Sequence, residues 1–112
     1  MKAEQVTGVQ HLTTDNFDQT INNGITLVDF WAEWCMPCRM QGPIIDNLAK
    51  SIGTKAVIAK LDVDHNPEVA MRYGITGIPS LIIYKDGEVA KQFVGLQSEE
   101  VLKQAIEKLS VN

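Results

Sequence analysis

Cys35 and Cys38 are the only thiols among the 112 residues, and they stand three positions apart. On a helix that spacing puts both sulfurs on one face, close enough for the narrow geometry of a disulfide. Pro37, between them, suits a first helical turn, because the N–H it lacks would have no partner there. A helix starting at Pro37 leaves Cys35 at its N-terminus, where free N–H groups and the helix dipole stabilise a thiolate. Cys38 lies one turn inside and is expected to be more buried. The pair then reads as a redox couple, with Cys35 as nucleophile and Cys38 as resolving thiol. Two other readings stand beside it. A zinc site needs two further N or S ligands, and the only histidines, His11 and His65, are far apart in sequence and form no second pair. Two plain core cysteines would leave the proline-bearing corner and the preceding Trp34 without a reason.

The elements that must hold this pair alternate strand and helix. Val9 to Leu12 reads as a short strand. Thr13 or Thr14 caps a helix through Phe17 to Ile21, ended by Asn22-Asn23-Gly24. Ile25 to Ala32 is rich in β-branched and aromatic residues and reads as a buried central strand. From Pro37 to Ser51 the residues Met40, Ile44, Ile45 and Leu48 fit one helical face that continues to Ile52, with Pro43 placed to kink it. Ala56 to Val63 is a second buried-type strand. Asn66-Pro67-Glu68 opens a short helix to Tyr73 with a capping residue, a first-position proline and an early acid. Ser80 to Lys85 and Glu88 to Val94 flank Asp86-Gly87, a two-residue hairpin signal. Ser98 caps a last helix whose buried face is expected from Val101, Leu102, Ala105, Ile106 and Leu109. The βαβ part requires parallel strands and the hairpin adds antiparallel ones, so the fold is α/β, with a mixed sheet and helices on both faces.

Two charged residues interrupt the strands. Asp29 is the one carboxylate of an otherwise apolar segment. It is either a strand end reaching solvent or a buried acid with a raised pKa. Lys60 alone reads as a lysine whose stem lies along the surface and whose head reaches water.

Composition bounds the function. A chain of 112 residues is expected to form one domain, 1–112, and 45% apolar with 21% charged residues is the globular range. Ten basic against fourteen acidic residues give a net charge of −4 with no basic run, which opposes a nucleic-acid or anionic-membrane role. No uncharged stretch approaches the ~20 apolar residues of a membrane span. The first ten residues carry no apolar run of the kind a secretory signal needs.

The segments Val28-Asp29-Phe30-Trp31-Ala32-Glu33-Trp34-Cys35-Met36-Pro37-Cys38, Ala59-Lys60-Leu61-Asp62 and Tyr73-Gly74-Ile75-Thr76-Gly77-Ile78-Pro79-Ser80 together resemble the thioredoxin family, bacterial type, and the similarity runs from His11 to Leu109. The resemblance implies a thioredoxin fold: a five-stranded sheet in the order 1-3-2-4-5 flanked by four helices. It implies a cytoplasmic, monomeric dithiol carrier that reduces protein disulfides, uses no bound cofactor beyond the Cys35–Cys38 couple, and is recharged by a flavin-containing thioredoxin reductase. It places Asp29 behind Cys38 to take and return a proton, with Lys60 as the partner of its charge. It implies a cis bond before Pro79, with Ile78 offering its backbone to an extended substrate. Trp34, Met36, Pro37, Gly77, Val94 and Gly95 fall where the family has its docking surface, and Trp31 falls near the site. The chain departs from the family in Met36, where glycine is usual, in Arg39 for lysine and in Ser80 for threonine. Met36 adds apolar thioether surface beside the thiols and bears on potential and partner preference. Two alternatives remain on the residues alone: an oxidase or isomerase of an oxidising compartment, and a binding subunit indifferent to redox state. Replacing both cysteines by serine would preserve the last and abolish the others.

Overall fold

The computed structural model describes residues 8–111. Five strands, β1 (Gln10–Leu12), β2 (Ile25–Trp31), β3 (Val57–Asp62), β4 (Ser80–Lys85) and β5 (Glu88–Val94), form one sheet in the order β1-β3-β2-β4-β5. Four helices accompany them: α1 (Phe17–Ile21), α2 (Met36–Ile52), α3 (Pro67–Arg72) and α4 (Glu99–Ser110). β1 and β2 lie parallel to β3, while β4 runs antiparallel to β2 and β5 to β4. The thioredoxin-like order and the mixed sheet expected above are therefore present.

β2 is the middle strand because it can bury both faces. Side chains alternate across a strand. Ile25 and Leu27 pack with Ile45, Leu48, Leu81 and Leu102 on the side of α2 and α4. Val28 and Phe30 pack with Phe17, Leu61, Val69 and Tyr84 on the side of α1 and α3. Each such side chain, fully buried, contributes ~1.5–3 kcal/mol. Asp29 and Trp31 continue the row of Ile25 and Leu27, so they face α2. Lys60 joins them: it is two residues beyond Ile58, which belongs to the same cluster, and it pairs with Asp29 in the parallel register.

The hairpin between β4 and β5 turns at Asp86 (φ 51°) and Gly87 (φ 90°), both in the left-handed region that the Asp-Gly pair tolerates. Ser98 caps α4 as expected, its Oγ accepting from Val101 N–H at 3.2 Å. The other two expected caps differ. Neither Thr13 nor Thr14 caps α1. Thr14 N–H donates to Asn66 Oδ1 at 2.9 Å instead, and Asn66 Nδ2 donates to the Asp62 carbonyl at 3.1 Å. The polar groups of Thr14 and Asn66 are thus spent on joining the β1–α1 and β3–α3 turns, and neither helix has a side-chain cap.

Two expected core positions are also corrected. Met40 and Val101 are exposed. On α2 the buried stripe is Cys38, Gln41, Ile45, Leu48 and Ile52, which turns Met40 outward. On α4 the burial centres on Leu102 and Ile106, leaving Val101 at the rim. Helix α2 continues past Pro43 to Ile52, with the proline on its exposed side.

Candidate active site

The cysteine pair sits where β2 gives way to α2. Cys35 occupies the N-cap position of α2, and its sulfur accepts the backbone N–H of Cys38 at 3.2 Å. That is the contact by which the positive end of a helix holds a sulfur anion. Cys35 N–H donates to the Ala32 carbonyl at 3.2 Å, closing the corner from behind. The two sulfurs are joined as a disulfide, with Cα atoms 5.2 Å apart. Both cysteines are buried among Ala32, Trp31, Val63 and Ile78, and to the same degree, 4% exposed, so Cys38 is not the more buried of the two as expected; the disulfide holds the two sulfurs in one apolar pocket. Met36 and Pro37, between them, are exposed, Met36 at 67%.

Asp29 lies deeper along β2 on the same face, with no solvent exposure. Among the described residues neither carboxyl oxygen has a hydrogen-bond partner. Burial raises its pKa to about 7, against the opposing pull of the Lys60 charge. A carboxyl so tuned is half protonated near neutrality, which is the condition for moving a proton in either direction. Lys60 is half-buried. Its Nζ lies 5.0 Å from the centre of the Trp31 ring, and a Cβ on Gly42 of α2 would stand 3.6 Å from it. The ammonium is thus lodged between the sheet and the start of α2, with Trp31 as its floor.

The Ile78–Pro79 bond is cis, and the Ile78 carbonyl oxygen is 3.7 Å from Cys35 Sγ. Pro79 is buried. Its carbonyl accepts Gly95 N–H at 2.8 Å, which brings the end of β5 to the site. Gly95 has φ +95° and therefore needs to be glycine. Gly77 lies against Val94, whose Cγ1 would be 3.5 Å from a Cβ there. Val94 and Trp34 project into solvent, 66% and 70% exposed. The structure therefore gathers Trp34, Met36, Ile78, Pro79, Gly77, Val94 and Gly95 around the disulfide. A shallow groove of ≈ 240 Å³ continues from Trp34 and Ile78 past Val63, Ile75 and Ala70.

Two contributors were missed in the sequence. Asp64 Oδ2 accepts the Trp34 indole N–H at 2.8 Å and so fixes the ring at the rim. Asp64 is an exposed acid two residues past Asp62 at the end of β3, and nothing in its spacing singles it out. Met71 is 78% exposed at the groove, outside every motif. His65 pairs with Asp62 at 2.8 Å. The hydrogen bond and charge of Asp62 raise the imidazole pKa. Among the described residues no three His, Cys, Asp or Glu side chains gather into a metal-holding group, and no helix is long and apolar enough to cross a membrane.

This sheet order, with a Cys-x-x-Cys pair opening the helix after the central strand, defines a thiol–disulfide exchange protein. The thioredoxin family model matches residues 8–108. The thioredoxin of Staphylococcus saprophyticus is 48% identical over 97 residues, 87% of this chain and 93% of that one. The thioredoxin of Staphylococcus aureus is 44% identical over the same shares. The solved structure of a mutant thioredoxin from Halobacterium salinarum superposes with a TM-score of 0.90 at 35% identity, covering 99% of this chain and 98% of that one. The chain belongs to the thioredoxin family, and it is a thiol–disulfide oxidoreductase with the Cys35–Cys38 couple as its redox centre.

Proposed function

We propose that the chain is a cytoplasmic, monomeric, one-domain electron carrier that reduces disulfides in other proteins. The observation that carries the reading is the placement of Cys35 at the N-cap of α2 in a disulfide with Cys38, on the sheet face that also holds a buried Asp29. In the reduced form the Cys35 thiolate attacks one sulfur of a substrate disulfide. A bond forms between Cys35 and that sulfur, the substrate bond breaks, and the departing thiolate takes a proton. Asp29 accepts the proton of Cys38. The Cys38 thiolate then attacks Cys35 Sγ, closing the internal disulfide and releasing the second substrate thiol. Two electrons have moved from carrier to substrate; Asp29 hands the Cys38 proton to the second substrate thiolate, and the first thiolate is protonated from solvent. Lys60 tempers the negative charge that Asp29 carries before it takes up the proton and again after it returns it. Trp34, Met36, Pro37, Gly77, Val94 and Gly95 form the docking rim, with the Ile78 backbone beside the substrate strand and Pro79 setting its turn. A flavin-containing thioredoxin reductase restores the dithiol, and no bound cofactor is needed.

The test is reduction of insulin disulfides with dithiothreitol as electron source, followed by equilibration against glutathione to obtain the potential. Acceleration of insulin precipitation over dithiothreitol alone, and a potential below that of the glutathione couple, are expected. A protein that leaves the insulin rate unchanged overturns the reading.

A further inference from the structure

The buried stripe of α2 begins Cys38, Gln41, Ile45, and the second of these is an amide among apolar side chains. Gln41 has no solvent exposure. A buried amide is tolerated only where its donor and acceptor are both used. Here both are used on one residue. Gln97 N–H donates to Gln41 Oε1 at 2.8 Å, and Gln41 Nε2 donates to the Gln97 carbonyl at 3.0 Å. The side chain pairs with Gln97 as one strand residue pairs with another. Gln97 lies in the loop between β5 and α4, and its own Nε2 donates to the Gly95 carbonyl at 3.2 Å. Gly95 N–H in turn donates to the Pro79 carbonyl at 2.8 Å. The series runs from the residue one turn beyond Cys38 to both segments of the docking rim. Among the described residues, Gln41 makes the only hydrogen bonds from α2 to this loop.

We infer that Gln41 is a positioning residue for substrate docking: its amide sets the height of the Val94–Gln97 segment over the redox helix, so that a protein substrate meets the rim and Cys35 together. The inference rests on the disulfide-reductase reading above. A small disulfide touches little beyond the sulfur it exchanges with, so it depends far less on the rim than a folded substrate does.

The pre-reduced protein is mixed with excess insulin, or with 5,5′-dithiobis(2-nitrobenzoate), and the single turnover is followed over a range of concentrations. Gln41→Leu keeps the volume of the stripe and removes both bonds. The half-saturating insulin concentration should rise about five-fold with the limiting rate within about two-fold, the pattern of lost uniform binding. The small disulfide should lose less than about two-fold. Gln41→Glu accepts from Gln97 N–H in either protonation state but donates to the Gln97 carbonyl only when protonated. Its half-saturating concentration, relative to the parent at each pH, should therefore fall toward the parent value as pH is lowered from about 8 to about 5.5. A role confined to packing would move neither the split between the two substrates nor this pH profile. Should Gln41→Leu fail to melt cooperatively, the pH arm of Gln41→Glu decides alone. Half-saturating concentrations equal to the parent in the folded variants overturn the inference. A parent that reduces neither disulfide overturns the reductase reading, and this inference with it.

Discussion

At the scale of single residues the two sulfurs are unequal. Cys35 caps the helix and stands 3.7 Å from the Ile78 carbonyl at the rim, whereas Cys38 is one turn inside. Cys38→Ser should therefore accumulate a mixed disulfide between Cys35 and a substrate protein, and Cys35→Ser should not. Mass spectrometry of both variants after incubation with a disulfide protein checks this, and equal trapping would contradict the division of labour. Asp29 offers a second test. With no hydrogen-bond partner for its oxygens among the described residues and its pKa raised to about 7, it suits the proposed proton exchange with Cys38. Asp29→Asn should slow insulin reduction near neutral pH by about ten-fold, short of the ~10²–10⁴ typical of general acid–base catalysis, because water can still take the proton. Stopped-flow rates from mildly acidic to alkaline pH measure it, and a rate equal to the parent throughout would make Asp29 a structural residue. The cysteines were legible in the sequence because their spacing and the intervening proline specify geometry locally. Asp29 was ambiguous, since a lone acid in an apolar strand can lie at either end of the burial range. Gln41 and Asp64 were not legible at all. Their partners, Gln97 and Trp34, lie 56 and 30 residues away, and no local pattern marks such a contact.

At the scale of elements, apolar patterning together with turn and proline signals located the described strands and α-helices, while ends and caps followed tertiary contacts. The buried strip of α2 illustrates the limit. Apolar spacing assigned Met40 to the core, but the helix is rotated so that the Gln41 amide takes the inner place, and only the Gln97 backbone explains why an amide is tolerated there. Thr14 and Asn66 show the same competition, their side chains joining two turns rather than ending helices. Ser98 has no such rival and caps α4. Ser98→Ala should destabilise the fold by about 1 kcal/mol. Urea unfolding should show a lower midpoint with an unchanged slope. No change in the midpoint would mean that Glu99 and Glu100 at the same helix end suffice.

For the whole molecule the shifted titrations of Asp29 and His65 act in the same direction above mild acidity. Asp29 titrates near pH 3.8 when unfolded and at about 7 when folded, so between those values the native state holds a proton that the unfolded chain has lost. Stability therefore falls as pH rises across that window and then levels, for a total of roughly 4 kcal/mol at ~1.4 kcal/mol per pH unit. The His65 pKa is raised by Asp62, so its contribution is complete below pH 6.5 and fades as pH rises through the folded value. Asp62 acts at the other end. Burial opposes its ionisation, but the hydrogen bonds and charge around it, His65 foremost, hold its pKa low, so its contribution is lost only as pH falls below 3.8. The melting temperature should thus decline from about pH 5 to about pH 8 in the parent, and much less in Asp29→Asn, which should be the more stable of the two at the alkaline end. Parallel curves for the two proteins would assign the slope elsewhere. The position of β2 carries a further consequence. It is hydrogen-bonded to a strand on each side and covered on both faces, so amides such as those of Val28 and Phe30 can reach deuterated solvent only when the whole sheet comes apart. Among the described residues β5 has one unpaired edge and exposed side chains along most of its length, and its outward amides can exchange through small local openings. The slowest isotope uptake in the molecule therefore reports global opening from the strand that carries Asp29, one short corner away from the chemistry.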